Sequence, residues 1–323
     1  MHLSEMPHVV MSQILNSTGY RATLVLKKVS LEFRNFIEDV RPESHLKSIS
    51  ITVTFDCICI YMDPYMDWSL DIVYQKHNEG CSVQNFPRRE VFLKDQDFET
   101  SFLKDFEMNL KNQKGILELL RLSFECVMEG FLRGLEDVLK SRESLLRVQE
   151  LNLEVSNQEE VISVLPFVDS MAIRKLLISS TRGLIDLEMD EITKLEQWRE
   201  IKDLEIINCV VSVPLENFVH FSNAKISIQM VCSEDLFMLK ENFLTSKNFQ
   251  RFTIKYKMFD EDICLPILFG ESIVFGRDTW SFPFSNSDES LLLMHLDNQT
   301  FNFSRVKTSE IVFNRCYKAE KYC

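Results

Sequence analysis

The chain has 323 residues, 45% of them hydrophobic, with 25 Phe but only 8 Gly and 8 Pro. That leaves room for two or three folded domains and excludes wholesale disorder or a low-complexity linker. A formal net charge of -13, from 49 acidic and 36 basic residues, disfavours direct binding of nucleic acid or of an anionic membrane surface. The nine Cys are spread out, odd in number and never spaced C-x-x-C. They are expected to be reduced thiols of a cytoplasmic or nuclear protein. The start lacks the apolar stretch of a signal peptide, and no run approaches the ~20 apolar residues that span a bilayer.

Residues 7–15 predict a first helix, with Pro7 in its first turn and Val10, Ile14, Met11 and Leu15 at i,i+4 spacing. A polar Asn16-Ser17-Thr18-Gly19 run ends it. Residues 20–28 predict a second helix. A third begins after Ser30, a good N-cap, with Phe33, Phe36, Ile37 and Val40 on one face. A bundle of about 40 residues seldom stands alone without a metal, a disulfide or a partner. No Cys precedes Cys57, so this segment is expected to bury its remaining apolar face on a partner.

These residues resemble an F-box. The pattern is Leu3-x-x-Met6-Pro7, Val10, Ile14-Leu15, Leu24-x-Leu26, Val29-Ser30 and Phe33-Arg34-Asn35-Phe36-Ile37, with Thr18-Gly19-Tyr20 where a Leu-Asp-Pro-like turn is common. The resemblance implies docking on a Skp-type adaptor and, through it, on a cullin–RING ubiquitin ligase. The implied contact residues are Leu3, Met6, Pro7, Val10, Ile14, Leu15, Leu24, Leu26 and Val29.

The period then changes from 3.6 to 2. Ile49, Ile51, Val53 and Phe55 alternate with polar residues, and Ile58 and Ile60 alternate with Cys57, Cys59 and Tyr61. Two further strands, near 68–76 and 81–86, complete an expected antiparallel meander over residues 46–90. A boundary is expected at Phe86-Pro87-Arg88-Arg89, read as a solvated connector. A long helix follows from Asp97, with Phe98, Phe102, Phe106 and Leu110 stepping by four and Asn112-Gln113-Lys114 closing it.

Beyond it short alternating strands recur, centred near 122, 151, 176, 204, 226 and 252, with helical segments between them. That spacing is that of leucine-rich-repeat solenoids, and Leu204-Glu205-Ile206-Ile207-Asn208-Cys209 fits the repeat core. Helix–strand alternation alone cannot separate a curved solenoid from a doubly wound sheet. The absence of a Gly-rich turn after any strand favours the solenoid. The fold class expected is therefore mixed α/β: a three-helix module, a small β meander, and a degenerate solenoid.

The same stretch resembles the FTH domain of nematode F-box proteins. The matching residues include Asn157-Gln158-Glu159-Glu160-Val161, Val164-Leu165-Pro166-Phe167-Val168-Asp169, Leu195-Glu196-Gln197-Trp198, Glu216-Asn217-Phe218-x-His220-Phe221 and Trp280-x-Phe282. The resemblance implies a partner-binding module with no catalytic residues. The division expected is 1–45 for the helices, 46–90 for the meander, 95–306 for the FTH domain and 307–323 as a loose tail.

No nucleotide-loop, serine-hydrolase or H-E-x-x-H motif occurs, and the six His and nine Cys form no cluster. His220 reads as a satisfied, partly buried side chain, and Trp198 and Trp280 as core. No enzyme activity, metal or cofactor is expected. Two functions remain: a substrate adaptor of a Skp–cullin–F-box-type ligase, or a non-degradative scaffold or regulator, of an RNA-binding protein for instance, with a vestigial F-box. If the strands stack in parallel, alternation sends Leu151, Leu153, Leu204 and Ile206 inward. It sends Asn152, Glu154, Asp203 and Glu205 outward to meet an unidentified target protein. That surface is expected to be acidic at its start and basic near Lys255.

Overall fold

The computed structural model describes residues 6–18, 20–63, 70–85, 89–126, 129–180, 182–260, 264–274, 278–296 and 299–311. It divides into two compact units, Met1–Ile173 and Arg174–Cys323.

The first unit begins with α1 (His8–Ser17), α2 (Tyr20–Leu26) and α3 (Leu31–Val40). Ser30 caps α3 as its sequence suggests, its Oγ accepting from the Phe33 N–H at 3.2 Å. Arg41, in the left-handed region at φ 48, ends that helix. Then come β1 (Ser48–Val53), β2 (Cys57–Met62), β3 (Leu70–His77), β4 (Gly80–Asn85) and β5 (Arg89–Lys94), followed by α4 (Phe98–Lys111), β6 (Leu117–Phe124), α5 (Glu129–Lys140), β7 (Val148–Glu154) and α6 (Gln158–Ile162). The sheet order is β7-β6-β1-β2-β3-β4-β5. Strands β1 to β5 form an antiparallel meander, and β1, β6 and β7 run parallel.

Two features differ from the sequence expectation. The run around Arg89, read as a solvated connector, leads into a fifth strand, because Val91 and Leu93 face Val83 and Cys81 across the ladder. The meander is also no separate piece: β1 pairs with β6 from Ser48↔Leu119 to Val53↔Phe124. Residues 86–88, part of the expected boundary, lie outside the described residues, as do 312–323 of the expected tail.

Helix α4 covers the apolar face of this sheet. Asp97 caps it, its carboxylate accepting from the Thr100 N–H at 2.9 Å. The four-residue stripe Phe98, Phe102, Phe106 and Leu110 is buried throughout. Phe102 stacks on Phe106 (5.4 Å) and meets Tyr74 edge-on (5.6 Å), and the Tyr74 hydroxyl donates to Asp105 at 2.8 Å.

The segment joining α3 to β1 is stitched down. Glu43 Oε1 accepts from the N–H groups of Lys114 (3.1 Å) and Gly115 (2.8 Å). The buried Gln113 amide holds both the N–H (3.2 Å) and the carbonyl (3.1 Å) of Leu46. Asp63 Oδ1 accepts from Lys47 N and Ser48 N, each at 2.8 Å.

The second unit contains β8 (Lys175–Ser179), β9 (Ile185–Leu187), α7 (Glu196–Glu200), β10 (Asp203–Ile207), β11 (Cys209–Val211), β12 (Asn223–Cys232), α8 (Ser233–Thr245), β13 (Arg251–Asp260), α9 (Leu265–Phe269), β14 (Thr279–Pro283), β15 (Glu289–Leu296) and β16 (Thr300–Lys307). Strands β8, β10, β12 and β13 lie side by side and parallel, and β16, β15 and β14 continue antiparallel from β13. Helices and 3-10 turns fill the intervals in sequence. Short β9 and β11 form a parallel pair that joins β12 at Val211↔Ile228. The fold class is mixed α/β.

Trp198 is buried, as its sequence suggests; its Nε1–H donates to Asn217 O at 3.1 Å, and Phe221 meets it edge-on at 5.0 Å. His220 binds the Trp198 carbonyl through Nε2 at 2.8 Å, and burial holds its pKa below the usual histidine value. It is a structural histidine. Trp280 is likewise buried, with its indole N–H on Gly270 O at 2.9 Å.

Candidate functional site

Two surfaces collect the residues singled out from sequence. The first is the three-helix module. Met11, Leu15, Ile37 and Thr23 are buried and form its interior. Leu15, expected on a contact face, thus belongs to the core: its i,i+4 partner Met11 turns inward with it. Ile14, Leu26 and Met6 are half-buried and Pro7 is exposed. Val10 and Val29 do reach solvent, joined by Val9 (69% exposed), Val25 (56%) and Leu31 (68%), which sequence reasoning passed over. Their signal is that each is an apolar residue out of phase with the buried stripe of its own helix. Leu3, Gly19 of the atypical turn and the side chain of Leu24 lie outside the described residues. Several β-branched or large apolar side chains in water on so small a module form a surface suited to an apolar partner.

The second surface is the outward face of the parallel strands in the second unit. Leu204, Ile206, Ala224, Ile226, Phe252 and Ile254 point inward and are buried. Their alternates line up in cross-strand rows. One row reads Lys175, Asp203, Asn223, Arg251; the next reads Leu177, Glu205, Lys225, Thr253. They frame a concavity of about 400 Å³. Asp203 and Glu205 are both here, and neither carboxylate is alone. Asn223 Nδ2 donates to Asp203 Oδ1 at 2.7 Å, and Lys225 Nζ to Glu205 Oε1 at 3.0 Å. The expected drift from acidic to basic is therefore corrected. Lys175, Lys225 and Arg251 interleave with the two acids, so opposite charges neighbour one another across strands. Only the register reveals this: Lys175, Asn223 and Arg251 stand at the position of Asp203 on their own strands.

Asn152 and Glu154 belong to the first unit. Glu154 is half-buried and accepts from Ser123 Oγ at 2.5 Å. Asn152 is a further correction: it is 5% exposed, and its Oδ1 has no hydrogen-bond partner. It stands opposite Arg121 in the centre of its strand, between the half-buried Glu150 and Glu154, so alternation with Leu151 and Leu153 did not bring it to solvent.

Among the described residues no group of three or more His, Cys, Asp or Glu side chains could hold a metal ion. The described thiols are unpaired with one another. Burial pushes the Cys209 thiol up to about 11, and burial with the neighbouring Cys57 pushes Cys59 up to about 11, the reverse of an activated nucleophile. Among the described residues no helix is long and apolar enough to cross a membrane.

Residues 129–268 match the family model of the FTH domain. That segment resembles an FTH domain. The matched FTH segment opens on α5 and closes within α9, so it contains β8, β10, β12 and β13 and the whole polar concavity. It lies within the 95–306 expected from sequence. The chain is also similar to F-box A protein 224 of Caenorhabditis elegans, with 25% identity over 269 residues, covering 80% of this chain and 67% of that one. That likeness runs well beyond the FTH segment. No solved structure matches.

Proposed function

We propose that this protein is a substrate-recognition subunit of a Skp–cullin–F-box-type ubiquitin ligase. In this reading α1 to α3 act as an F-box that docks on a Skp-type adaptor and thereby on a cullin–RING ligase. The FTH domain holds a target protein on its outward sheet face. The contribution to catalysis is positional: two partners held on one chain meet at high effective concentration, and the bond chemistry belongs to the ligase.

The observation that carries the reading is the exposed set Val9, Val10, Val25, Val29 and Leu31 on a module that buries Met11, Leu15 and Ile37. A partner that covers those residues gains roughly 25 cal/mol for each Å² of apolar surface removed from water. The similarity to an F-box A protein supports a Skp-type adaptor as that partner. At the target face, mixed charge favours a partner of mixed charge over a polyanion, with steering that weakens as salt rises.

The test is co-purification. Val10→Asp with Val25→Asp places two charges on residues already in solvent, so the module stays folded by circular dichroism. Recovery of a Skp-type adaptor with the full chain should fall at least tenfold. Equal recovery from wild type and variant would remove the F-box assignment and leave the non-degradative scaffold. Reversal of Asp203 and Glu205 to lysine probes the other face. Proximity labelling in cells should lose its main partners, while adaptor recovery stays unchanged.

A further inference from the structure

Strand β5 ends the sheet of the first unit: it pairs with β4 on one side, and among the described residues no strand pairs with the other. Edge strands of this kind offer a row of open N–H and C=O groups. The open groups can be assigned. The Asp95 N–H donates to Glu79 O at 2.9 Å, in line with the β4 register, which pairs Gly80 with Lys94. The Leu93 carbonyl lies against Gly80, where a Cβ would overlap it, so only glycine fits there. Val91 and Leu93 therefore turn their peptide groups toward β4, and Glu90, Phe92 and Lys94 turn theirs away from the sheet. Glu90, Val91, Phe92 and Lys94 are all exposed, Val91 and Phe92 to 50% and 51%.

We propose that this edge pairs with the same edge of a second copy of the chain, antiparallel and centred on Phe92. The choice of occupant rests on self-complementarity. Two-fold pairing must join outward-facing residues to outward-facing residues, so Phe92 meets Phe92, Glu90 meets Lys94 and Lys94 meets Glu90. Each of these pairs closes two backbone hydrogen bonds. On the same face an aromatic pair is flanked by two opposite-charge pairs; on the other, Val91 meets Leu93 twice. Charges on an edge of a single sign would repel a second copy, which is how such edges are commonly protected. Here the order Glu90, Phe92, Lys94 makes the strand attractive to its own reverse. A pairing this short buries less than a standard interface, so the dimer is weak and forms at high concentration. The proposal is independent of the adaptor reading.

The experiment is sedimentation of the full chain over a concentration series, with four proteins: wild type, Glu90→Lys, Lys94→Glu and the double swap. Wild type should dimerise as concentration rises. Each single reversal turns both charge pairs repulsive and should weaken the dimer on the order of tenfold or more. The double swap should restore it, and an equimolar mixture of the two single variants should form heterodimers. Hydrogen exchange on wild type gives a readout free of substitutions: the amides of Glu90, Phe92 and Lys94 should slow as concentration rises. A chain that stays monomeric, or dimerises equally well in all four forms, overturns the proposal. So does protection of this edge that appears only when another protein is added.

Discussion

Gln113→Ala tests whether the helical module and the sheet of the first unit are one cooperative piece. The Gln113 side chain is 1% exposed and makes three bonds: it accepts from Leu46 N (3.2 Å) and donates to Leu46 O (3.1 Å) and Gly115 O (3.3 Å). Truncation to alanine leaves the peptide groups of Leu46, itself 1% exposed, without these partners. An unsatisfied buried polar group costs about 1–3 kcal/mol, so the expected loss is about 3 kcal/mol. For a unit of this size that corresponds to a fall in Tm of about 6–12 °C. Gln113→Glu sharpens the test because it keeps the shape and the acceptor but presents a carboxylate to two carbonyl oxygens. Burial and those carbonyls raise its pKa in the folded state, so folding takes up a proton. Its penalty relative to wild type should therefore be large at pH 8 and shrink as pH falls toward 5. Thermal melts of the three proteins at both pH values decide the matter. An alanine variant within about 1 °C of wild type, or a glutamate penalty that does not change with pH, would refute the reasoning.

His220 is held neutral by burial, with a folded pKa below its unfolded value. The stability this contributes is complete above about pH 6.5 and is lost as pH falls through the folded pKa; His220→Gln should flatten that part of the Tm-versus-pH curve. Thiol accessibility should split by burial. Cys126 and Cys264 are exposed and Cys81 and Cys209 buried. Peptide mapping after brief iodoacetamide treatment at pH 8 should find the first pair alkylated and the second only after unfolding; rapid labelling of Cys209 would contradict its packing.

Much of this architecture is legible in the sequence because it rests on short-range periodicity. The Phe98-to-Leu110 stripe fixes α4 to within a residue of its observed start, and alternation finds β6, β7, β8, β10, β12 and β13, though not the short parallel pair β9 and β11. What was missed depends on neighbours distant in sequence. Strand β5 follows a charged run and is recognised only by its pairing with β4. Asn152 is polar and in outward phase, yet it is buried. Leu15 satisfies a helical contact pattern equally well as core or as surface, and only the packing of three helices decides between them. The charge of the sheet face was misjudged for a related reason: composition along one strand says nothing of the residues set beside it across the sheet.

On β8, β10, β12 and β13 the residues that hold the unit together and those that face outward are alternate letters of the same strands. Leu204 and Ile206 are committed to the interior, while Asp203 and Glu205 beside them are not. Parallel neighbours stand about 4.8 Å apart, so the outward positions form a grid whose spacing is set by the backbone, whatever side chains occupy it. Each strand supplies one point to every row. A single substitution can therefore rewrite one point of the grid, from acid to base or from base to amide, without disturbing an inward residue. Specificity and stability become separately variable in such an arrangement. Related chains could share one scaffold and present different patterns of charge.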